Sequence, residues 1–192
     1  MVDGVIYMSA PDNAWGVDAR DGTILWHYYW KTRGGTHTGN RGMGIWHNNL
    51  YLEVHDDYLI CLDAKTGQEK WKKEISSFDE QYFSSTAPMV IGDHVLAGTG
   101  NDMDAPGFLQ SFDPETGERQ WIFYTVPMTA DDPSVKTWAS LDAARHGGAS
   151  RGSLELTIPK PTSTCSAPGI PPRRTLPGAA TAITCTPVRW SP

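Results

Sequence analysis

Along the first two thirds of the chain, apolar side chains fall at every second position in short runs, and Gly, Asn or Asp separates one run from the next. Residues 5–9, 14–18, 23–30, 43–46, 49–54, 58–63, 68–75, 87–91 and 94–97 show this pattern, which has the period of a strand and not of a helix. One stretch recurs: Gly16 to Trp26, Cys61 to Trp71 and Ser111 to Trp121 share a small first residue, an Asp two positions on, a Gly four beyond that and a Trp four further. In this spacing the Asp oxygen accepts backbone N–H groups of a tight turn, and the Gly supplies the positive φ the turn requires. The Trp then lies on the outgoing strand, where it can bury a large surface against a neighbouring sheet, and the small residue leaves room for it.

A repeat of about 45 residues with several short strands per unit is the signature of a β-propeller blade. The expected fold is therefore all-β, a partial propeller of about three blades over residues 1–148, with an irregular tail over 149–192. The spacing from Asp3 to Asp18 is repeated from Asn48 to Asp63, but Asp93 to Asp113 is five residues longer, the excess falling near residues 100–106. Packing alone does not ask for an insertion in one copy of a repeat, so it is a place to look for function. Residues 125–148, with Pro127, Asp131-Asp132-Pro133 and Gly147-Gly148, read as a loop.

Charge narrows the partners. Residues 1–148 carry 21 acidic and 11 basic side chains, a balance that disfavours nucleic acid. No apolar run approaches the ~20 residues of a membrane span. Met1-Val2-Asp3-Gly4 leads straight into a strand pattern, so the reading expects the chain to start inside a blade, without a secretory leader. Of the three cysteines, Cys61 sits in a strand pattern and the other two lie in the tail, a count that points to no particular chemistry.

The three Asp-x-x-x-Gly-x-x-x-Trp turns, together with Asn40-Arg41-Gly42, Ser85-Thr86-Ala87-Pro88, Pro106-Gly107-Phe108 and the run from Trp121 to Pro127, resemble the PQQ-dependent alcohol dehydrogenases, the quinoprotein methanol and ethanol dehydrogenase family. The resemblance covers nearly all of residues 2–148. It implies an eight-bladed propeller with pyrroloquinoline quinone (PQQ) on the axis, a calcium ion beside it, an alcohol substrate oxidised to an aldehyde, a cytochrome c electron acceptor and a periplasmic location. By position it assigns Arg41 to the quinone, Ser85 to a cofactor carboxylate, the Thr99 and Gly100 backbone to the same edge, and Asp102 to calcium, with Asp104 as the other candidate. The catalytic Asp base of the family would lie in a later blade.

Two departures bear on the transfer. The adjacent cysteine pair that the family places over the quinone is replaced by Gly35 and Thr36, and the family's calcium-binding Glu is replaced by the shorter Asp102. The alternative is a non-catalytic propeller of the same superfamily that binds protein partners through its loops.

The tail has its own explanation. Eight of the fourteen prolines lie between Pro159 and Pro192, and alternation is lost. Back-translated and read one nucleotide earlier, the residues after Gly148 permit Gln-Pro-Trp-Ile-Pro-Gly-Ala-Tyr-Asp-Pro-Glu-Thr-Asn-Leu-Tyr, the Trp and the Tyr-Asp-Pro turn that the family carries after His-Gly-Gly. A shift of reading frame near Ala149 is the expectation, which makes the chain an N-terminal-region fragment.

Overall fold

The strands among the described residues form three antiparallel meanders. A computed structural model describes residues 1–34, 39–80, 82–101 and 105–146, and at 99–101 the backbone path alone. The first sheet holds β1 (Val5–Ala10), β2 (Asn13–Asp18) and β3 (Ile24–Tyr29) in that order. The second runs β4 (Gly44–Trp46), β5 (Asn49–Glu53), β6 (Tyr58–Asp63) and β7 (Glu69–Glu74). The third runs β8 (Met89–Ile91), β9 (His94–Asn101), β10 (Ala105–Phe112) and β11 (Arg119–Tyr124). These are three consecutive blades of a β-propeller, as the repeat predicts.

The repeated turn folds by the predicted mechanism. In blade 2 the Asp63 carboxylate accepts the Lys65 and Thr66 backbone N–H groups at 3.0 Å each, and Gly67, at φ +70°, donates to the Asp63 carbonyl. Asp113 repeats this with Glu115 and Thr116 at 2.9 and 2.8 Å, and Gly117 sits at φ +68°. These backbone donors, with the Thr hydroxyls, hold both carboxyls below the usual carboxylate range against the burial that raises them. In all three blades the small residue faces the Trp across the strand pair, as Gly16 with Trp26, Cys61 with Trp71 and Ser111 with Trp121. The register slips by one residue immediately afterwards in each, so the device extends to a β-bulge.

The Trp of one blade docks on the turn of the next. A Cβ at Gly67 would stand 2.6 Å from the Trp26 ring, and one at Gly117 would stand 2.6 Å from Trp71, so only glycine admits the contact. Trp26 is 8% exposed and its indole N–H donates to the Ala64 carbonyl at 3.0 Å. Trp121, with no described blade beyond it, is 37% exposed.

Three details differ from the sequence reading. The extra residues of blade 3 lengthen the β9–β10 hairpin, with Asn101 opposite Ala105 and a register irregularity between Ala105 and Phe108, so residues 99–101 are strand and not loop. Within 125–148 lie a 3-10 turn, Pro133–Thr137, and a short helix α1, Leu141–Arg145, each capped by the side chain before it, Asp132 and Ser140. A two-turn sequence built on Asp-Pro and Ser caps has too few apolar positions for periodicity to reveal it. The expectations for Gly35, Thr36, Asp102, Asp104 and the tail 149–192 fall outside the described residues.

Candidate functional site

A meander of four antiparallel strands puts the start of its first strand and the turn after its third at opposite ends of the blade. The segments that lead into β4 and β8 therefore share the end away from the Asp turns, and they carry the two sequence-assigned residues, Arg41 and Ser85. The structure brings these together: an Arg41 guanidinium nitrogen donates to the Ser85 carbonyl at 3.1 Å and to the Ser85 hydroxyl. The two segments abut closely. A Cβ at Gly39 would lie 3.2 Å from the Ser85 Cβ, and one at Gly42, at φ +123°, would lie 3.7 Å from that of Ala87.

Arg41 is exposed and Ser85 half-buried. Among the described residues no carboxylate pairs with Arg41, in contrast to Arg20 and Arg33, which are bound to Asp18 and to Asp56 and Glu74. A guanidinium with no carboxylate partner among the described residues, beside a hydroxyl, is a donor set suited to an anionic or carbonyl oxygen. Thr99 and Gly100 lie at the end of β9, and the strand reaches the same place: the Thr86 hydroxyl stands 3.4 Å from the Gly98 carbonyl.

Sequence reasoning missed the polar groups behind this pair. Glu53, at the end of β5, is 2% exposed, and its carboxylate accepts the Ser84 and Thr86 hydroxyls, the latter at 2.7 Å. Burial pushes its carboxyl up to about 8, with Asp57 adding to the rise and the two hydroxyls opposing it. Asn40 spans the gap on the other side, its amide N–H₂ 3.5 Å from the Glu53 carbonyl and its oxygen accepting the Gly42 N–H at 3.0 Å. Asp56, wholly buried, accepts the Trp30 indole N–H at 2.7 Å and the Arg33 backbone N–H at 3.1 Å, which anchors the chain just after β3. The signal open to the sequence was a Glu at the end of the strand pattern 49–54, where burial makes a carboxyl costly.

Two other features carry no chemistry of this kind. His94 meets both Ser111 (2.9 Å) and Asp93 (3.3 Å), but Ser111 is wholly buried and its hydroxyl donates to Gln120, so no nucleophile is presented. A cleft of about 750 Å³ bordered by Ile75, Tyr82, Phe108, Gln110 and Tyr124 includes neither Arg41 nor Ser85. Among the described residues no group of three or more His, Cys, Asp or Glu side chains could hold a metal, and no helix is long and apolar enough to cross a membrane.

Comparison with known proteins agrees with this fold. Residues 1–150 match the PQQ family described as the glucose/ethanol/alcohol dehydrogenase β-propeller domain. The chain belongs to that family. It is 32% identical over 167 residues to the quinohemoprotein alcohol dehydrogenase ADH-IIG of Pseudomonas putida, covering 77% of this chain and 23% of that protein. The structure of the quinohemoprotein alcohol dehydrogenase ADHIIG from Pseudomonas putida HK5 superposes with a TM-score of 0.63 at 34% identity, over 66% of this chain and 20% of the other. A europium-containing methanol dehydrogenase superposes with a TM-score of 0.62 at 25% identity, over 66% and 24%. The chain thus spans about a quarter of the length of the relatives it matches.

Proposed function

We propose that these blades carry one edge of the cofactor site of a periplasmic, PQQ-dependent, calcium-assisted dehydrogenase that oxidises an alcohol to an aldehyde and passes the electrons to a cytochrome c. The observation that carries this reading is the meeting of Arg41 and Ser85 ahead of two neighbouring first strands. An exposed guanidinium and a hydroxyl fit the carboxylate and carbonyl oxygens of the quinone, which supplies the two-electron acceptor when bound. Arg41 holds an anionic oxygen by charge-assisted hydrogen bonds, and Ser85 donates a second. The backbone at Thr99 and Gly100 lines the same edge. Asp102, with Asp104 as alternative, supplies carboxylate oxygen to the cation, a hard ligand for a hard ion. The electron acceptor and the location follow from the family resemblance, and the quinohemoprotein names of the relatives add haem to the electron-transfer partners this reading expects.

The tail enters the same reading as a shifted frame, with the remaining blades and the catalytic base outside this chain. As written, the chain is expected to hold PQQ weakly and to leave ethanol unoxidised. PQQ is titrated by its absorbance into the chain and into Arg41→Ala, with calcium and with europium in parallel. Removing charge-assisted hydrogen bonds should weaken binding by about ten- to a hundredfold. Binding indifferent to Arg41 would overturn the assignment. A full-length, frame-restored protein should then show dye-linked ethanol oxidation, and an inactive, cofactor-free one would support a non-catalytic propeller instead.

A further inference from the structure

Glu53 sits where both segments of the candidate site converge. Its backbone carbonyl faces the Asn40 amide, and its carboxylate receives the hydroxyls of Ser84 and Thr86. The residues between these anchors are the two that meet each other, Arg41 next to Asn40 and Ser85 between Ser84 and Thr86. In an extended segment alternate side chains point to opposite faces, so tying 84 and 86 inward turns 85 outward. We infer that Glu53 is the positioning residue of the Arg41–Ser85 site, fixing from behind the two segments that present the guanidinium and the hydroxyl. The inference rests on the functional reading above.

A purely structural role fits less well. A carboxyl at 2% exposure is costly, and one of its oxygens, Oε1, has no hydrogen-bond partner among the described residues. An apolar side chain of similar volume would fill the space at lower cost, but it could not accept two hydroxyls. Around the carboxyl, the loop after β5 contributes Asp57, Ser84 and Thr86 contribute hydroxyls, and β9 contributes the backbone at Gly98. Among the described residues no cation neutralises it.

The test uses the full chain with Glu53→Met and Glu53→Gln, and reads amide hydrogen exchange without cofactor. Glu53→Met should speed exchange across residues 39–42 and 84–88 by about tenfold or more, as expected when a hydrogen-bonded anchor is lost, and leave the turns at 63–67 and 113–117 unchanged. Glu53→Gln, whose amide oxygen still accepts both hydroxyls, should restore most of the protection. Unchanged exchange in those segments, or an equal rise at every amide, would overturn the inference. Should Glu53→Met not fold, wild-type amide shifts are followed with pH instead. Residues 40–42 and 84–86 should then move together as Glu53 ionises, and their failure to do so is equally fatal. PQQ titration of wild type against Arg41→Ala, run beside these variants, separates the two readings. Loosened segments with PQQ binding indifferent to Arg41 keep the positioning role and remove the quinone, while rigid segments with Arg41-dependent binding do the reverse.

Discussion

The two blade interfaces are built on the same Trp-to-Gly contact and a buried apolar cluster, yet they differ in the polar groups around it. Between blades 1 and 2 the contact is sealed by Ala14, Leu50, Leu52, Val54, Ile60 and Leu62, all buried and apolar, and the Trp26 indole finds the Ala64 carbonyl. Between blades 2 and 3 the other face of the same strand β5 presents Asn49, Tyr51 and Glu53, with His55 just beyond. The carbonyl equivalent to that of Ala64, at Pro114, is taken by the Tyr51 hydroxyl at 2.9 Å, and the buried Trp71 indole N–H has no acceptor among the described residues. Both interfaces are well packed, the second around Leu59, Cys61, Val95, Ala97 and Phe112. Only the second also buries polar groups of β5, and they include the carboxyl that anchors the Arg41–Ser85 segments.

The docking contacts should separate the two most strongly. Trp26→Ala is expected to cost about 3–5 kcal/mol, the usual range for truncating a well-packed Trp. Trp71→Ala should cost less, because its indole is only partly buried and already lacks a hydrogen bond, and Trp121→Ala, 37% exposed, least of all. Urea unfolding of the three variants checks the order. Equal losses would show that the two interfaces are energetically alike despite their different linings.

Glu53 gives the comparison a pH dependence. Its carboxyl is raised from about 4.5 to about 8 on folding, so the folded protein holds a proton that the unfolded chain releases between these values. That contribution is complete below the lower value and is lost as pH rises to the upper one. The Asp63 and Asp113 carboxyls are shifted the opposite way, and their contributions are lost only in acid, below the usual carboxylate range. Stability of the wild type should therefore decline from about pH 4.5 to 8, and Glu53→Gln should remove that decline. A decline of the same size in both proteins would assign it elsewhere.

Sequence alone revealed the repeated turn in its mechanical detail, because Asp18, Asp63 and Asp113 act on residues two to five positions away. Spacing encodes such local hydrogen bonds directly. The pairing of Arg41 with Ser85 spans 44 residues and was reached only through the family resemblance. Glu53 was reached by neither route. Its partners, Ser84 and Thr86, lie more than thirty residues away on another blade, and nothing in the local pattern of β5 says which face meets them. The lengthened β9–β10 hairpin was visible as an insertion, but its strand character depends on cross-strand pairing, which length does not specify.

The finest difference between the interfaces is the carbonyl of Pro114. In blade 2 the matching carbonyl of Ala64 serves Trp26, whereas at Pro114 Tyr51 donates at 2.9 Å and Asn49 approaches at 3.5 Å. Tyr51→Phe removes the nearer donor at a wholly buried site. A buried hydrogen bond is worth about 1 kcal/mol net, so the loss should be of that order if the carbonyl is left to Asn49. Trp71 packs on Gly117, three residues past Pro114, as Trp26 packs on Gly67, three past Ala64, so its unpaired indole N–H is the natural replacement. The expected result is a loss smaller than about 1 kcal/mol together with a downfield shift and slower exchange of the Trp71 indole proton. An unmoved indole proton would show that the second interface excludes this hydrogen bond by geometry, and not because Tyr51 occupies its acceptor.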